Sequence, residues 1–325
     1  MKEPPLIEVL LYRWKINGGD EMEAALRNMF QSLAKNTSAN KLAKKYGLRF
    51  GAKRFVAGET VASAIQCVKM LNEKKIAATL DHLGEFVFTE EEAKQSAAMC
   101  LLTLDHIYTA KVESYLSVKL TSLGLDINKE LCMSNMRAIL ERARKYDNFV
   151  RIDMEDFSHC EAAIELYEEL RKEYENIGLV IQAYLYRTEE DMKRLHKVNA
   201  NLRLVKGAYK ESSNVAFPEK SDVDENFKRI IQTHILNGHY TAVATHDEKI
   251  IDFTKKIVSE YHIETSAFEF QMLYGICVDL QNKLVDEGYK VRVYVPYGVD
   301  WFGYFMRRLA ERPANIWFVL KNLFK

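Results

Sequence analysis

The 325-residue sequence has little proline or glycine and no long hydrophobic run, and each shortage excludes a class of protein. Only 14 Gly and 5 Pro are spread along the chain, so no linker-like tract divides it. The longest early apolar run, 7–12, is far too short to span a bilayer, and no small-residue cleavage site follows it. Neither a membrane-spanning segment nor secretion is therefore expected.

Cysteine and excess charge of one sign are also scarce. The five cysteines form no CxxC or zinc spacing, which indicates core thiols in a reduced, cytoplasmic compartment. Lys+Arg and Asp+Glu both total 46, so the charge predicts no binding of nucleic acid. HxH and HExxH are absent, and no zinc or di-metal centre is expected. No GxGxxG or GxxxxGK[ST] follows a predicted strand, which argues against a Rossmann site or a P-loop.

What the sequence does contain is a series of eight short apolar stretches that each run into polar or charged residues. They are AATLDHLGE (77–85), LSVKLTS (116–122), VRIDMED (150–156), LVIQAYLY (179–186), LRLVKGAY (202–209), AVATHD (242–247), FEFQML (268–273) and VRVYVPYG (291–298). The first part of each is typical of a buried strand, and helical patterns separate them. This count predicts an α/β fold, a TIM-like (β/α)8 barrel. The polar ends would meet at the C-terminal face, where barrels carry their chemistry.

The predicted organisation has three parts. Residues 1–21 form an N-terminal extension of unknown role that matches nothing in the barrel pattern, 22–75 form N-terminal helices, and 76–325 form the barrel. Thr89 and Thr188, each followed by three acidic residues, are expected to cap two helices. After the last strand, 301–311 and 315–323 are predicted to be helical.

Two lysines fall in strand-like runs, Lys119 in LSVKLTS and Lys206 in LRLVKGAY. A lysine in a buried strand costs several kcal/mol unless it is paired or neutralised. Each is therefore either paired with a carboxylate that stabilises the barrel or placed at the mouth as a site residue. Asp153, Glu155 and Asp156 allow a similar pair of interpretations, as metal ligands or as a charged loop.

Arg307 and Arg308 lie in the helical segment YFMRRLAER. They form either a solvated helix face or a planar fork that binds a carboxylate. The residues alone indicate a barrel enzyme that acts on a small anionic substrate. Two classes stay open, a class I aldolase-like lyase with a Schiff base on Lys206 or Lys119 and a cofactor-dependent oxidoreductase. A non-catalytic binding protein fits poorly, because many charges fall at the strand ends.

The motifs together resemble those of the proline dehydrogenases, in the same order. LRLVKGAY, QAYLYR, AVATHD, FEFQMLYG and RVYVPYG followed by YFMRRLAERPAN carry the resemblance. The chain is similar to the monofunctional bacterial type, which uses FAD to oxidise L-proline to 1-pyrroline-5-carboxylate, the first step of proline catabolism to glutamate. The resemblance implies a barrel whose final helix covers the substrate.

The resemblance also implies roles for individual residues. The catalytic residues would be Lys119, Asp153 and Arg203. The substrate-binding residues would be Lys119, Leu273, Tyr294, Tyr304, Arg307 and Arg308, with the two arginines on the carboxylate. FAD would be bound by Asp153, Met154, Gln182, Arg203, Val205, Lys206, Gly207, Ala208, Tyr209, Thr245, His246, Asp247, Gln271, Leu273 and Glu311. Glu85 and Arg307 would form a gate.

The implied reaction transfers a hydride from proline C5 to FAD N5, and no metal takes part. The electrons would then pass to a membrane quinone, so the protein is expected to be cytoplasmic and peripheral at the inner face of the cell membrane. A separate pyrroline-5-carboxylate dehydrogenase would consume the product.

Overall fold

The computed structural model describes residues 52–84 and 87–311, with side chains described as far as 308. The predictions for 1–51, for Glu85, for the side chain of Glu311 and for the helix at 315–323 lie outside this range. The described residues belong to two compact units. One unit is Ala57–Gly298 and holds the barrel, and the other includes the segments 52–56 and 299–311.

Eight parallel strands form a closed barrel in the order of the sequence, and β1 pairs with β8 to complete it. They are Ala77–His82 (β1), Ser114–Val118 (β2), Val150–Ile152 (β3), Ile177–Gln182 (β4), Asn201–Val205 (β5), Thr241–Ala244 (β6), Phe268–Leu273 (β7) and Val291–Tyr297 (β8). The predicted barrel is therefore confirmed, with every strand at its predicted place. Register brings the polar strand ends together, since Asp81 pairs with Ser117 and Leu273 with Tyr294.

Helices separate the strands at the predicted places. They are Val61–Glu73 (α1), Glu90–Ala110 (α2), Lys129–Lys145 (α3), Cys160–Arg171 (α4), Thr188–His196 (α5), Lys220–Leu236 (α6), Glu248–Glu260 (α7), Val278–Asp286 (α8) and Trp301–Glu311 (α9). α1 belongs to the same compact unit as the barrel. Within the described residues, no helix has the length and apolar character that crossing a membrane requires.

Local hydrogen bonds explain where two of these helices begin. Thr89 caps α2 as predicted, and its hydroxyl accepts a bond from the backbone of Glu92 while the Glu92 side chain reaches back. The predicted cap at Thr188 is wrong. Thr188 is already the first residue of α5, and its hydroxyl donates to the carbonyl of Gln182 instead. The bond ties the start of α5 to the end of β4.

The two site lysines lie just beyond their strands rather than inside them. β2 ends at Val118 and β5 ends at Val205, so Lys119 and Lys206 each occupy the first position after a strand. A strand end leaves the ammonium group free to reach a carboxylate at the barrel mouth. The burial cost that the sequence suggested is therefore met by ion pairs, as described below.

Candidate active site

Polar side chains line the inside of the barrel, where most barrels of this kind carry branched apolar residues. The inward-facing polar residues of the strands are Thr79, Asp81, Tyr115, Ser117, Arg151, Gln182, Asn201, Arg203, Glu269, Gln271, Arg292 and Tyr294. Lys119 and Asp153 continue the same face just beyond β2 and β3. Alternation along each strand turns the intervening apolar residues toward the helices. This division explains why apolar runs in the sequence carry isolated charges.

Lys119 and Asp81 form an ion pair at the C-terminal end of β1 and β2. The Nζ atom donates to both carboxylate oxygens of Asp81 at 2.9 Å. Burial raises the pKa of the Asp81 carboxyl group, Lys119 opposes that shift, and the nearby carboxylate of Asp153 adds to it. The bidentate contact holds a charged pair in place at a site with little water.

A second network joins three strands across the barrel. Arg203 on β5 donates from Nη1 to Oδ1 of Asp153 at 2.7 Å and from Nη2 to Oγ of Ser117 at 3.2 Å. The Tyr294 hydroxyl, on β8, donates to the other oxygen of Asp153 at 2.7 Å. Burial raises the pKa of Tyr294 well above its usual value, and Asp153 raises it further. The phenol therefore stays protonated and acts as a donor.

Among the buried polar atoms at this mouth, one donor and one acceptor that lack a hydrogen-bond partner among the described residues are of particular interest. They are Nε of Arg203 and Oε1 of Gln182. Gln182 uses its other amide atom to donate to the carbonyl of Glu155 at 3.0 Å. Buried polar groups are normally satisfied, so these two atoms mark a place where a ligand with both kinds of group fits.

Lys206 lies between two carboxylates at the end of β5. Its Nζ donates to Asp224 on α6 and, at 2.7 Å, to Asp247. Although burial opposes the shift, Lys206 lowers the pKa of both carboxyl groups. An ammonium group has three donors, so the third can serve an anionic ligand such as a phosphate.

Gly207 follows Lys206 and supplies a close backbone approach. Its φ of +114° favours glycine, and an added Cβ would meet the ring of Tyr184 at 2.2 Å. Backbone bonds join the two segments, since Tyr184 N donates to the carbonyl of Lys206 at 2.9 Å. The loop therefore accepts no side chain at this position and brings bare backbone to the barrel mouth.

Most of the other predicted cofactor residues lie at the same end of the barrel. His246 accepts a bond at Nε2 from the backbone of Leu273 at 3.0 Å, and Thr245 accepts one from the backbone of Asp247. Gln271 points toward the strand N-termini and donates to Glu269 at 2.5 Å. Four further residues follow or end strands β3 and β5, and the last two of them are exposed: Met154, Val205, Ala208 and Tyr209.

The acidic loop after β3 is held by protein contacts. Glu155 accepts bonds from the backbone and hydroxyl of Thr121, and Asp156 accepts bonds from Ser158 and His159. Across the described part of the chain, no group of three or more His, Cys, Asp or Glu side chains is arranged to hold a metal ion.

The helix α9 carries the remaining predicted substrate residues. Tyr304 is buried, Arg307 and Arg308 are half-buried, and the guanidinium of Arg308 lies 5.0 Å from the centre of the Tyr304 ring. Such an arrangement is typical of a cation–π contact. Glu85, the other half of the predicted gate, lies outside the described residues, and so does the side chain of Glu311.

Asp81 is the site residue that the sequence interpretation missed. The signal was present, because Asp81 is the one acidic residue in the apolar run AATLDH. Its partner Lys119 was recognised, but the strand register that brings the two together cannot be obtained from one sequence. Arg151 on β3 was missed for the same reason.

Comparison with known proteins places the chain in a family. The family model for proline dehydrogenase matches residues 64–321. The chain belongs to the proline dehydrogenase family. Proline dehydrogenase 1 of Bacillus subtilis (strain 168) is 53% identical over 300 residues, which are 92% of this chain and 99% of that protein. Proline dehydrogenase of Deinococcus radiodurans is 44% identical and covers 84% of this chain and 90% of its own length. The predicted resemblance to the monofunctional bacterial type is thus confirmed.

Solved structures of bifunctional family members share the fold. Proline utilization A from Bdellovibrio bacteriovorus, inactivated by N-propargylglycine, superposes with a TM-score of 0.76 at 26% identity. The match covers 80% of this chain and 32% of that one. The Bradyrhizobium japonicum protein gives a TM-score of 0.69 at 22% identity. These structures show the shared fold, and the sequence matches show the family.

Proposed function

We propose that this protein oxidises L-proline to 1-pyrroline-5-carboxylate with FAD as its bound cofactor, the first step of proline catabolism to glutamate. The observation that carries the proposal is the buried network of Arg203, Asp153 and Tyr294 beside the pair of Lys119 and Asp81. It occurs in a chain that is 53% identical to a curated proline dehydrogenase over nearly the whole length of both.

The groups at the barrel mouth suit a flavin. Its ring system has both acceptor atoms and an N–H donor, and the site offers an unpartnered Nε on Arg203 and an unpartnered Oε1 on Gln182. Lys206 and the bare backbone at Gly207 suit the diphosphate. Flavin, when bound, would supply the N5 atom that accepts the hydride from proline C5. Arg203 would stabilise the negative charge that the hydride brings.

Arg307 and Arg308 are proposed to bind the proline carboxylate, with Leu273, Tyr294 and Tyr304 as the walls of the pocket. Proline must lose its amine proton before C5 can give up a hydride, and such an ammonium group titrates near the lysine value of about 10.4. The positive charge of the arginines lowers that value. They thus both orient the substrate and favour its reactive form.

Lys119 and Asp153 are proposed to act as fixed charges rather than as a nucleophile and a base. Each is tied to a partner of opposite charge or to a hydrogen-bond donor, which restrains its side chain. Glu85 is proposed to pair with Arg307 when substrate is bound and so to close the site. Electrons would leave for a membrane quinone at the inner face of the membrane, and a separate pyrroline-5-carboxylate dehydrogenase would take up the product.

The class I aldolase alternative is less well supported by the site. A Schiff-base lysine must present its amine to a carbonyl carbon, and an amine held by carboxylates is poorly placed to do so. Lys119 is bound by Asp81, and Lys206 is bound by Asp224 and Asp247. Both candidate lysines are therefore held in a way that does not suit a nucleophile.

Absorbance spectroscopy tests the proposal directly. Purified protein is expected to be yellow, with a flavin spectrum that bleaches under anaerobic conditions when L-proline is added. D-proline, which carries the same groups in the opposite arrangement, serves as the matched control and should bleach it far more slowly. A colourless protein that borohydride and a carbonyl substrate trap covalently at Lys206 would support the aldolase alternative.

A further inference from the structure

Arg151 is a fully buried cation on β3, two residues before Asp153. Its guanidinium donates from Nη1 to the carbonyls of Leu179 at 3.2 Å and Asn201 at 2.7 Å, and from Nη2 to Oδ1 of Asn201 at 2.7 Å. All three acceptors are neutral. Within the described residues, no carboxylate makes a hydrogen bond or an ion pair with it. Buried charges in proteins are normally paired with an opposite charge, so a buried arginine with only neutral hydrogen-bond acceptors is unusual.

The strand sequence provides space for this side chain. Gly178 on β4 pairs with Arg151, and a Cβ at Gly178 would meet Nη1 of Arg151 at 2.3 Å. The ring of Phe149 lies 4.9 Å from the guanidinium carbon. Residues 151 and 153 share the inner face of β3 and lie roughly 6.6 Å apart along the strand. The guanidinium thus belongs to the layer directly below the network of Asp153 and Arg203.

The charges inside the barrel do not balance. The inward-facing cations are Arg151, Arg203, Arg292 and Lys119, and the inward-facing carboxylates are Asp81, Asp153 and Glu269, which leaves an excess of one positive charge. Each of the other three cations has its own carboxylate. The excess therefore resides on Arg151. Burial, assisted by repulsion from Arg203, lowers the pKa of Arg151 to about 10, so the group is still charged at neutral pH. The carboxylate of Glu269 opposes this shift through space, but its ion pair is with Arg292.

We propose that Arg151 is a positioning residue that keeps one uncompensated positive charge beneath the site and so makes bound flavin easier to reduce. The inference rests on the proposed function, in which negative charge arrives at the mouth with the substrate carboxylate and again with the hydride. A cation without a counter-ion in a low-dielectric interior stabilises such charge more than an ion pair does. It acts through the field and touches neither substrate nor cofactor.

A merely structural role gives a different expectation. Arg151 also ties β3, β4 and β5 together through its three hydrogen bonds, and its loss would disturb them. The variant Asn201→Asp separates the two roles. It keeps the shape of the side chain and the acceptor that receives the bond from Nη2 of Arg151, but places a carboxylate there, which cancels the excess charge. Asn199→Asp adds the same charge at an exposed position two residues away and serves as the matched control.

The test is a spectroelectrochemical titration of the two-electron midpoint potential of flavin in the holoprotein. Asn201→Asp and Arg151→Gln should both lower the equilibrium ratio of reduced to oxidised flavin about tenfold, which is about 30 mV for a two-electron couple. Asn199→Asp should leave the potential unchanged. Circular dichroism and flavin content establish that each variant is folded.

The outcomes separate the proposal from its competitors. An unchanged potential in Asn201→Asp overturns it, even when Arg151→Gln lowers the potential, because hydrogen bonds rather than charge would then account for the effect. An equal shift in Asn199→Asp overturns it as well. Where Arg151→Gln does not fold, Asn201→Asp decides alone. A wild-type protein that binds no flavin overturns the proposed function and this inference together, whereas a normal flavin spectrum with no shift overturns only the inference.

Discussion

Adjacent arginines on one helix cannot point in the same direction, since successive side chains leave an α-helix about 100° apart. Arg307 and Arg308 are both half-buried on α9, and Arg308 lies against the ring of Tyr304. A solvated pair would tolerate substitution within about 0.5 kcal/mol. A pair that clamps a carboxylate from two sides would lose roughly 2–5 kcal/mol of binding when either member is truncated.

The variants Arg307→Met and Arg308→Met distinguish these cases, because methionine keeps the apolar stem without the charge. Each is expected to raise the KM for proline at least about tenfold, a loss of about 1.4 kcal/mol or more, with FAD still bound. Steady-state kinetics and the flavin spectrum provide the measurement. Arg144→Met, which removes an exposed arginine paired with Glu141, is the control and should change neither value. Normal proline turnover in both α9 variants would remove the main physical support for the substrate.

Single residues also show where sequence interpretation stops. Lys119 and Asp153 could be identified because each is a charge at the end of an apolar run, whereas Arg203 was identified only through the resemblance to the proline dehydrogenases. Their partners could not, since the pairing of Asp81 with Lys119 depends on the register between two strands. Nothing in the motif VRIDMED distinguishes Arg151 from an ordinary charged residue. Only the alternation within a closed barrel shows that it points inward, beside Gly178.

At the scale of elements, the period of the apolar residues predicted every strand of the barrel and the helices between them. The helix starts were less predictable. A threonine followed by acidic residues occurs at both Thr89 and Thr188, but only Thr89 caps a helix. The choice depends on whether another acceptor is near. At Thr188 the carbonyl of Gln182 is near, and it takes the hydroxyl proton.

Three histidines pack together where α5, α6 and the start of β6 meet. The rings of His196, His234 and His239 are stacked with centroids 4.5–5.1 Å apart, and Nε2 of His196 lies 2.9 Å from Nδ1 of His234. Burial lowers the pKa of all three, and that of His234 to about 3, with the neighbouring histidines adding to the effect. In the unfolded chain each would titrate near 6.5.

The sign of the pH dependence follows from these shifts. Between pH 6.5 and 3 the unfolded chain binds protons that the folded cluster does not, so the free energy of unfolding should decrease as the pH falls through this window. Each histidine contributes at most about 1.4 kcal/mol per pH unit. The double variant His196→Gln with His239→Gln should flatten the dependence in urea unfolding at pH 5, 6 and 7. An unchanged slope would mean that His196 and His239 take up no protons on unfolding in this pH range.

His159 provides a control, because its pKa is shifted in the direction opposite to that of the three clustered histidines. Burial opposes the shift, but Asp156 and Asp126, at 2.6 and 2.9 Å, raise the pKa of His159 above its usual value. Its contribution to stability is therefore present below the unfolded pKa of about 6.5 and is lost as the pH rises through the folded value. The variant His159→Gln should accordingly lose stability mainly at pH 5, which would steepen the acid-side decline that the other variant flattens.

At the scale of the whole molecule, the matched region begins well inside the chain. The family model starts at residue 64, and the barrel unit starts at Ala57. Residues 1–21, with Pro4-Pro5 and Gly18-Gly19, fit no part of the barrel pattern, and Met22 follows them. We therefore expect that the extension is not needed for flavin binding or catalysis.

A shortened chain that begins at Met22 tests this expectation. It should keep its flavin, its rate of proline-dependent reduction and its melting temperature to within a few degrees of the full-length protein. Size-exclusion chromatography of both chains controls for aggregation of the shorter one. Loss of flavin and activity together would show that the segment 7–14 packs against the rest of the fold.

The pairing of β1 with β8 also has a consequence during synthesis on the ribosome. Ala77 pairs with Arg292 and His82 with Tyr297, so the first strand must wait for more than two hundred residues to emerge before its second neighbour exists. Until then the growing sheet has two open edges, which are templates for aggregation. Asp81 on β1 and Tyr294 on β8 come to lie on neighbouring strands only when that gap closes. A nascent chain that stalls before residue 291 would therefore have neither a sealed barrel nor an assembled site, and chaperones and proteases would meet it with both edges exposed.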